Sequence, residues 1–318
     1  MEKILFIKLG AIGDVVMALT ALQRRLEDIP QEISWVCGKT VEPLIHRFLP
    51  SVNLFSLDEQ KLFQASPMKA MQEIIRVNWN LKGQKFDRIV VGYRDPRYRL
   101  FTLSARSKIR KFFTSIPGKY HADIYYELLG GDAQKLITHP LNPKSLVPKA
   151  HQSQGWVIAP GGAKNIQRDD HLRRYPIEHY VRLTKLILDK KKEVTVLGSQ
   201  TDEWVRPFFK NLPVKWALGT VSLVDLPLWL QQFERLVTHD SGPMHLGFMA
   251  GIPVTALFGP TRADEKVPKN AKENGSVIIQ GGLGLPCAPC YDGRNYAQCE
   301  HQKCLAEVQP DWRTFTAT

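Results

Sequence analysis

With 318 residues, the chain is long enough for two hydrophobic cores, and 43% hydrophobic with 23% charged residues excludes extensive disorder. A formal charge of +12 favours anionic partners such as nucleic acid, phosphorylated lipid or diphosphates, without choosing among them. No apolar run reaches the roughly 20 residues that span a bilayer. Lys8 and Asp14 interrupt the region where a signal peptide needs its apolar core, so a cytoplasmic protein is expected.

The predicted elements begin with a buried strand over Ile4–Leu9, a glycine loop at Gly10-Ala11-Ile12-Gly13, and a helix from about Asp14 to Glu27. Val15, Ala18, Leu19 and Leu22 fall on one face of that helix. Apolar runs at Ile33–Cys37, Val52–Phe55 and Arg88–Gly92 alternate with helical stretches, the rhythm of a doubly wound α/β domain. Pro140, Pro143 and Pro148 then mark a linker over residues 140–154 between a first domain (1–139) and a second (155–280). The second rhythm runs through strands at Trp156–Ala159, Glu193–Leu197, Arg235–His239 and Val254–Phe258. Its helices are predicted at Ile177–Asp189, near Asp202–Lys210, at Val224–Gln232 and from Pro243. Residues 281–318 form a cysteine-containing C-terminal segment.

Three strand-end loops carry chemistry. After the first strand, Gly10 and Gly13 lack the third glycine of a dinucleotide fingerprint. Asp14 there is either a capping acid of a tight turn or a carboxylate at the sheet edge where open α/β sheets place ligands, able to act as a general base. After Ala159, Gly161, Gly162 and Lys164 precede the basic pair Arg173 and Arg174, a combination that can admit and neutralise a phosphate. The third loop, Asp240-Ser241-Gly242-Pro243-Met244-His245, presents Ser241 as an N-cap, Pro243 in the first helical turn, and backbone amides suited to a phosphate.

These motifs resemble the ADP-heptose:lipopolysaccharide heptosyltransferases, glycosyltransferase family nine. The likeness runs through KLGAIGDVVMALTAL, PGG with RRYPIEHY, and SLVDLPLWLQQFERLVTHDSGPMHLGFMAGIPVTALFGPT. The resemblance implies the GT-B fold, two Rossmann-like doubly wound α/β domains facing across a cleft. It implies Asp14 as the base that deprotonates the acceptor, and Gly13, Gly161, Gly162, Lys164, Arg173, Asp202, Asp240, Ser241, Gly242 and His245 as donor-binding residues. Arg173 stands where the family usually has lysine, and Tyr175 where it has tryptophan. The loop between Gly162 and Arg173 is longer than in the family. The implied reaction is inverting transfer of a heptose or related sugar from an ADP-sugar to a lipopolysaccharide core precursor, with no catalytic cofactor. The implied partners are the ADP-sugar, an anionic glycolipid acceptor and, peripherally, the inner membrane surface.

Two features stay open at this level. The basic run from Arg94 to Lys111, with Arg94, Arg97 and Arg99 foremost, is either a solvated face or the binding surface of an anionic acceptor. No nucleic-acid module accompanies the charge, so no nucleic-acid partner is expected. Cys287, Cys290, Cys299 and Cys304 have spacing suited to a structural zinc or iron ion, or are reduced structural thiols. A protein O-heptosyltransferase, another sugar specificity, or a non-catalytic nucleotide-sugar or nucleic-acid binding protein are the competing functions.

Overall fold

The structure, a computed structural model, describes residues 1–134, 155–164, 166, 168–293, 295–299 and 301–316. The predicted linker, residues 140–154, lies outside them. The chain divides into two compact units, Met1–Ile137 with Asn165–Arg168, and Thr138–Lys164 with Asp169–Thr318. Among the described residues, no helix is long and apolar enough to cross a membrane.

In the first unit the strands are β1 (Glu2–Ile7), β2 (Gln31–Gly38), β3 (Asn53–Leu57), β4 (Lys85–Val91) and β5 (Arg106–Phe112). They form one parallel sheet in the order β3-β2-β1-β4-β5, with Ile4 opposite Ile33 on one side and Arg88 on the other. The chain winds outward from β1 to β3, then crosses to β4, so the winding reverses between β1 and β4. Helix α1 (Ile12–Asp28) buries every side chain from Val15 to Leu22, more than one amphipathic face, because it also packs against α6 (His121–Leu128). Helices α2 (Glu42–Phe48), α3 (Glu59–Phe63), α4 (Pro67–Leu81) and α5 (Arg97–Leu100) complete the unit. Strand β5, read in the sequence only as a basic run, is the exposed edge of the sheet. Its alternation is hidden because neither face is fully covered.

The second unit holds β6 (Trp156–Ala159), β7 (Val194–Gly198), β8 (Lys215–Leu218), β9 (Arg235–His239), β10 (Val254–Phe258) and β11 (Val277–Gln280). All pair in parallel in the order β11-β10-β9-β6-β7-β8, and the winding reverses between β6 and β9. Helices α7 (Ile177–Asp189), α9 (Leu226–Leu230) and α10 (Gly242–Ala250) lie near their predicted positions. The helix expected over 202–210 divides into a 3₁₀ segment, Gln200–Val205, and the short α8 (Arg206–Phe209). α10 ends at Gly251, whose φ of 74° is the left-handed stop that glycine accepts without strain.

The C-terminal segment packs into the second unit. Leu305, Phe315 and Cys304 are buried in the core of the second unit. Trp312, near the start of α12 (Trp312–Thr316), stacks on Trp156 at 5.2 Å, and the Tyr175 hydroxyl donates to the Val308 carbonyl at 2.6 Å. α11 (Lys303–Ala306) precedes this anchor.

Candidate functional site

Open parallel sheets leave room for ligands at the carboxyl ends of their strands where the winding reverses. Both units place the singled-out residues there, and each is described by itself.

In the first unit, Lys8 ends β1 inside an apolar setting, yet its ammonium is buried. A buried ammonium needs a partner. It finds Asp14 Oδ2 at 2.9 Å, and it also stands 4.6 Å from the centroid of the Tyr93 ring. Asp14 sits in the first turn of α1 but does not cap it. The Ala11 N-cap receives no side-chain bond, so the capping reading gives way to an ion pair in which the carboxylate is the more exposed member. Neither loop glycine supplies the left-handed turn; Ala11 does, at φ 61°. Gly10 is needed for space instead, since a Cβ there would lie 2.2 Å from Glu59 Oε1. Burial pushes the Glu59 carboxyl up, while the Thr40 hydrogen bonds and Lys8 oppose that shift. Gly13 lies within this first helical turn. The arrangement holds one partly exposed carboxylate oriented by a buried cation, which is what a proton acceptor requires.

The loop after β4 carries the three arginines. Arg97 is forked onto Asp95, with Nε to Oδ1 at 3.0 Å, and stacks 4.4 Å above Phe63. Asp95 thereby takes up the charge of Arg97. Arg99 stacks 4.7 Å over Phe112, and Arg94 and Arg99 are exposed.

In the second unit, the loop after β6 closes against the loop after β7. Asp202 Oδ1 accepts from the Gly162 N–H at 3.0 Å, and Oδ2 accepts from the Ser199 N–H at 2.8 Å and from Ser199 Oγ at 2.7 Å. A Cβ on Gly161 would lie 2.3 Å from Asp202 Cγ, so only glycine lets the loop approach. Asp202 shapes the glycine loop with both carboxylate oxygens. Gly162, at φ 81°, lies beside Ser241, and its carbonyl accepts from Arg174 Nε at 2.9 Å. Lys164 is exposed, and its backbone forms an isolated antiparallel β-bridge with Asp169.

Ser241 departs from its expected role. Its hydroxyl turns back to the His239 carbonyl at 3.1 Å and to Thr238 Oγ1 at 3.1 Å, and makes no cap bond to α10. The strand end, rather than the helix, takes the hydroxyl, so no side-chain cap covers the first amides from Gly242. Asp240, buried beside them, accepts from Thr261 Oγ1 at 2.7 Å and pairs with Arg173 Nη2 at 3.0 Å. Arg173 also reaches Asp170 Oδ2 at 3.4 Å. Burial would raise the Asp240 carboxyl, but Arg173, Lys266 and His245 outweigh it and hold it below the ordinary carboxylate range. Burial would likewise lower the Arg173 guanidinium, and Asp240 outweighs that, pushing it up. His245 is buried in the first turn of α10.

One residue of this cluster was not singled out from the sequence. His239, fully buried at the end of β9, is pulled down to about 3 by burial and by Arg173 and Arg174, and is therefore neutral. Its Nδ1 meets the Tyr180 hydroxyl at 3.1 Å. Among the described residues, its Nε2 and Arg173 Nε are buried without a hydrogen-bond partner. Buried polar atoms are nearly always satisfied, so such openings mark a place where a ligand or water completes the set. Its one available signal was position, a histidine directly before Asp240 at a strand end.

The four C-terminal cysteines come together around one cavity of about 310 Å³, together with Leu172, Pro260 and His301. All are free thiols. Burial is the main force pushing Cys304 up to about 11, and the sulphurs of Cys299, Cys290 and Cys287 add to it. Among the described residues, no three His, Cys, Asp or Glu side chains are drawn together as an ion's ligands. The cysteine segment adjoins the donor-side cluster, because Leu172 and Pro260 on the cavity wall neighbour Arg173 and Thr261 in the chain, and Tyr296 raises Arg173.

Two doubly wound parallel sheets, each with charged groups at its reversal point, define an α/β protein of two Rossmann-like units, the GT-B class. Residues 146–299 match the model of glycosyltransferase family 9 (heptosyltransferase). Lipooligosaccharide heptosyltransferase 2 of Campylobacter jejuni is 28% identical over 102 residues, 32% of this chain and 30% of that protein. The match thus spans about a third of that relative's length. Lipopolysaccharide core heptosyltransferase OpsX of Haemophilus influenzae is 21% identical over 315 residues, covering 86% of this chain and 83% of its own. Among solved structures, Escherichia coli heptosyltransferase WaaC with ADP superposes with a TM-score of 0.68 at 17% identity, covering 88% of this chain and 93% of that one. The second unit thus carries the likeness to glycosyltransferase family 9, and the chain shares the fold of that solved heptosyltransferase.

Proposed function

We propose that the chain is an inverting glycosyltransferase that moves a heptose, or a closely related sugar, from an ADP-sugar to an anionic lipopolysaccharide core precursor. The observation that carries this reading is the pairing of half-buried Arg173 with buried Asp240 beside the uncapped start of α10, with Arg173 Nε still open. A leaving diphosphate develops charge, and fixed cations and helix-terminal amides stabilise it. The solved relative that contains ADP supports an adenine nucleotide as the leaving group.

In this reading Asp14 takes the proton of the acceptor hydroxyl as its oxygen attacks the anomeric carbon. The carbon–oxygen bond to the diphosphate breaks, its electron pair leaves with ADP, and attack opposite the leaving group inverts the anomeric centre. Lys8 holds Asp14 in position through their 2.9 Å ion pair. Arg173 and the first amides of α10 take up the diphosphate charge, with Gly161, Gly162 and Lys164 lining its approach. His245 and Asp240 orient the sugar hydroxyls, and Asp202 keeps the glycine loop in shape. Arg94 and Arg99, exposed at the other unit's reversal point, receive the acceptor's phosphate or carboxylate groups, with Arg97 held by Asp95.

The spacing of Cys287, Cys290, Cys299 and Cys304 suits a soft structural cation such as zinc or iron, which would hold the loop-rich segment and take no part in the transfer, although among the described residues the thiols line one cavity without being drawn together as ligands. Elemental analysis of protein purified without chelator tests this. Close to one metal per chain is expected, and metal-free protein with four free thiols and an unchanged fold would contradict it. Calorimetric titration with ADP, UDP and a short RNA tests the donor class. Preference for ADP is expected, and tighter RNA binding with no nucleotide preference would overturn the reading.

A further inference from the structure

We propose that the outer face of α4 docks the protein on an anionic lipid bilayer. The helix has two apolar sides. Ile74, Val77 and Leu81 are buried under the sheet of the first unit. Met68, Met71, Ile75 and Trp79 are 71%, 51%, 57% and 70% exposed. At about 100° per residue these four fall within roughly 80° of one another, on the side opposite the buried set. A fifth apolar group extends the stripe: Leu103, 72% exposed, lies on the loop whose Ser104 N–H and Oγ bond Asn78 Oδ1 and the Asn78 carbonyl at 3.0 and 2.6 Å. Asn78 Nδ2 ties the same loop through the Leu100 carbonyl at 2.8 Å. Scattered exposed apolar residues need no explanation, but an aligned stripe of large ones marks an interaction surface.

The charge around the stripe selects the occupant. Between Pro67 and Lys82 the one acid is Glu73, which is buried and bonds Arg76 at 2.7 Å. Lys69 and Lys82 have no carboxylate partner among the described residues, and the Lys82 ammonium stands 5.0 Å from the centroid of the Trp79 ring. An apolar helix face with an interfacial tryptophan, unpaired lysines at its borders and no exposed acid fits a bilayer of anionic lipid. A second copy of the chain would bring the same two lysines onto the same stripe, like charge against like. The surface deepens the glycolipid reading, since an acceptor with a lipid anchor is presented at a bilayer.

The test uses the full chain and vesicles of phosphatidylcholine, with and without phosphatidylglycerol, read by co-sedimentation. Wild-type protein is expected to bind the anionic vesicles, more weakly as salt rises. I75S/W79S should lose about tenfold or more of that affinity, and K69Q/K82Q about fivefold per charge. Because both pairs are at the surface, their urea midpoints should match wild type. M68S/M71S serves as the replacement for a pair that does not. Absent binding by wild type, equal binding by I75S/W79S, or a dimer abolished by I75S/W79S without vesicle binding would each overturn the proposal. The vesicles carry neither sugar donor nor acceptor, so failure of sugar transfer leaves this result standing, and the reverse holds as well.

Discussion

Arg173 is the residue on which the donor side turns, and Arg173→Ala separates its two tasks. In the wild type its guanidinium lies 3.0 Å from Asp240 and 3.4 Å from Asp170, both carboxylates buried. Removing the cation takes from both carboxylates a guanidinium within ion-pair distance. Breaking a buried pair costs about 3–5 kcal/mol, and the partial exposure of Arg173 brings the expected loss to about 3 kcal/mol. The loss depends on pH with a definite sign. Asp240 is depressed in the folded protein, so the pair's stabilisation is present above the unfolded carboxylate range and disappears as pH falls through the folded value. Urea unfolding should therefore show the full deficit near neutrality and a shrinking one in acid. Calorimetry at neutral pH should show ADP weakened about 10- to 100-fold, the worth of a charge-assisted phosphate contact, with adenosine much less affected. Equal losses for ADP and adenosine would make Arg173 a support of the fold alone. Unchanged stability at neutral pH would refute the electrostatic account of the pair.

Two further outcomes follow from single groups. Lys8→Met removes the cation that holds Asp14 at 2.9 Å, so transfer should slow about tenfold or more with ADP affinity unchanged; transfer at the wild-type rate would free Asp14 from Lys8. His239 is neutral in the fold with its pKa near 3, against an ordinary value of 6.5, so the unfolded state binds the extra proton between them. Stability should fall on the order of 1 kcal/mol per pH unit below about 6.5. His239→Asn should show a shallower decline in the same urea titration, and an identical slope would deny that the imidazole is buried neutral.

Much of this architecture is legible in the sequence because interior parallel strands are short apolar runs, as at β1, β6, β9 and β10. The edges are harder. β5 is basic and exposed, and β8 and β11 are flanking strands whose half-covered faces leave no clear period. At the site, Asp14, Arg173 and Asp240 stand out by motif. Lys8 does not, since a lysine ending an apolar strand reads as an interruption until its salt bridge is seen. Ser241 shows the opposite failure: residue type predicts a cap, and a nearer carbonyl takes the hydroxyl. Asp202 accepts from the Gly162 and Ser199 amides, contacts between two loops that its residue type does not announce. Local pattern names the groups available at a strand end, but which partner each takes depends on loops brought together from distant parts of the chain.

Sugar transfer from an ADP-sugar with Asp14 as the base is the step on which the proposed function rests. Mass spectrometry of a lipopolysaccharide core precursor incubated with ADP-heptose tests it most directly, comparing wild type with Asp14→Asn at matched ADP affinity. The wild type should add one heptosyl residue, and the variant should do so about 100-fold more slowly or worse. An acceptor left unmodified by wild-type protein that binds ADP, or transfer undiminished in Asp14→Asn, would contradict it.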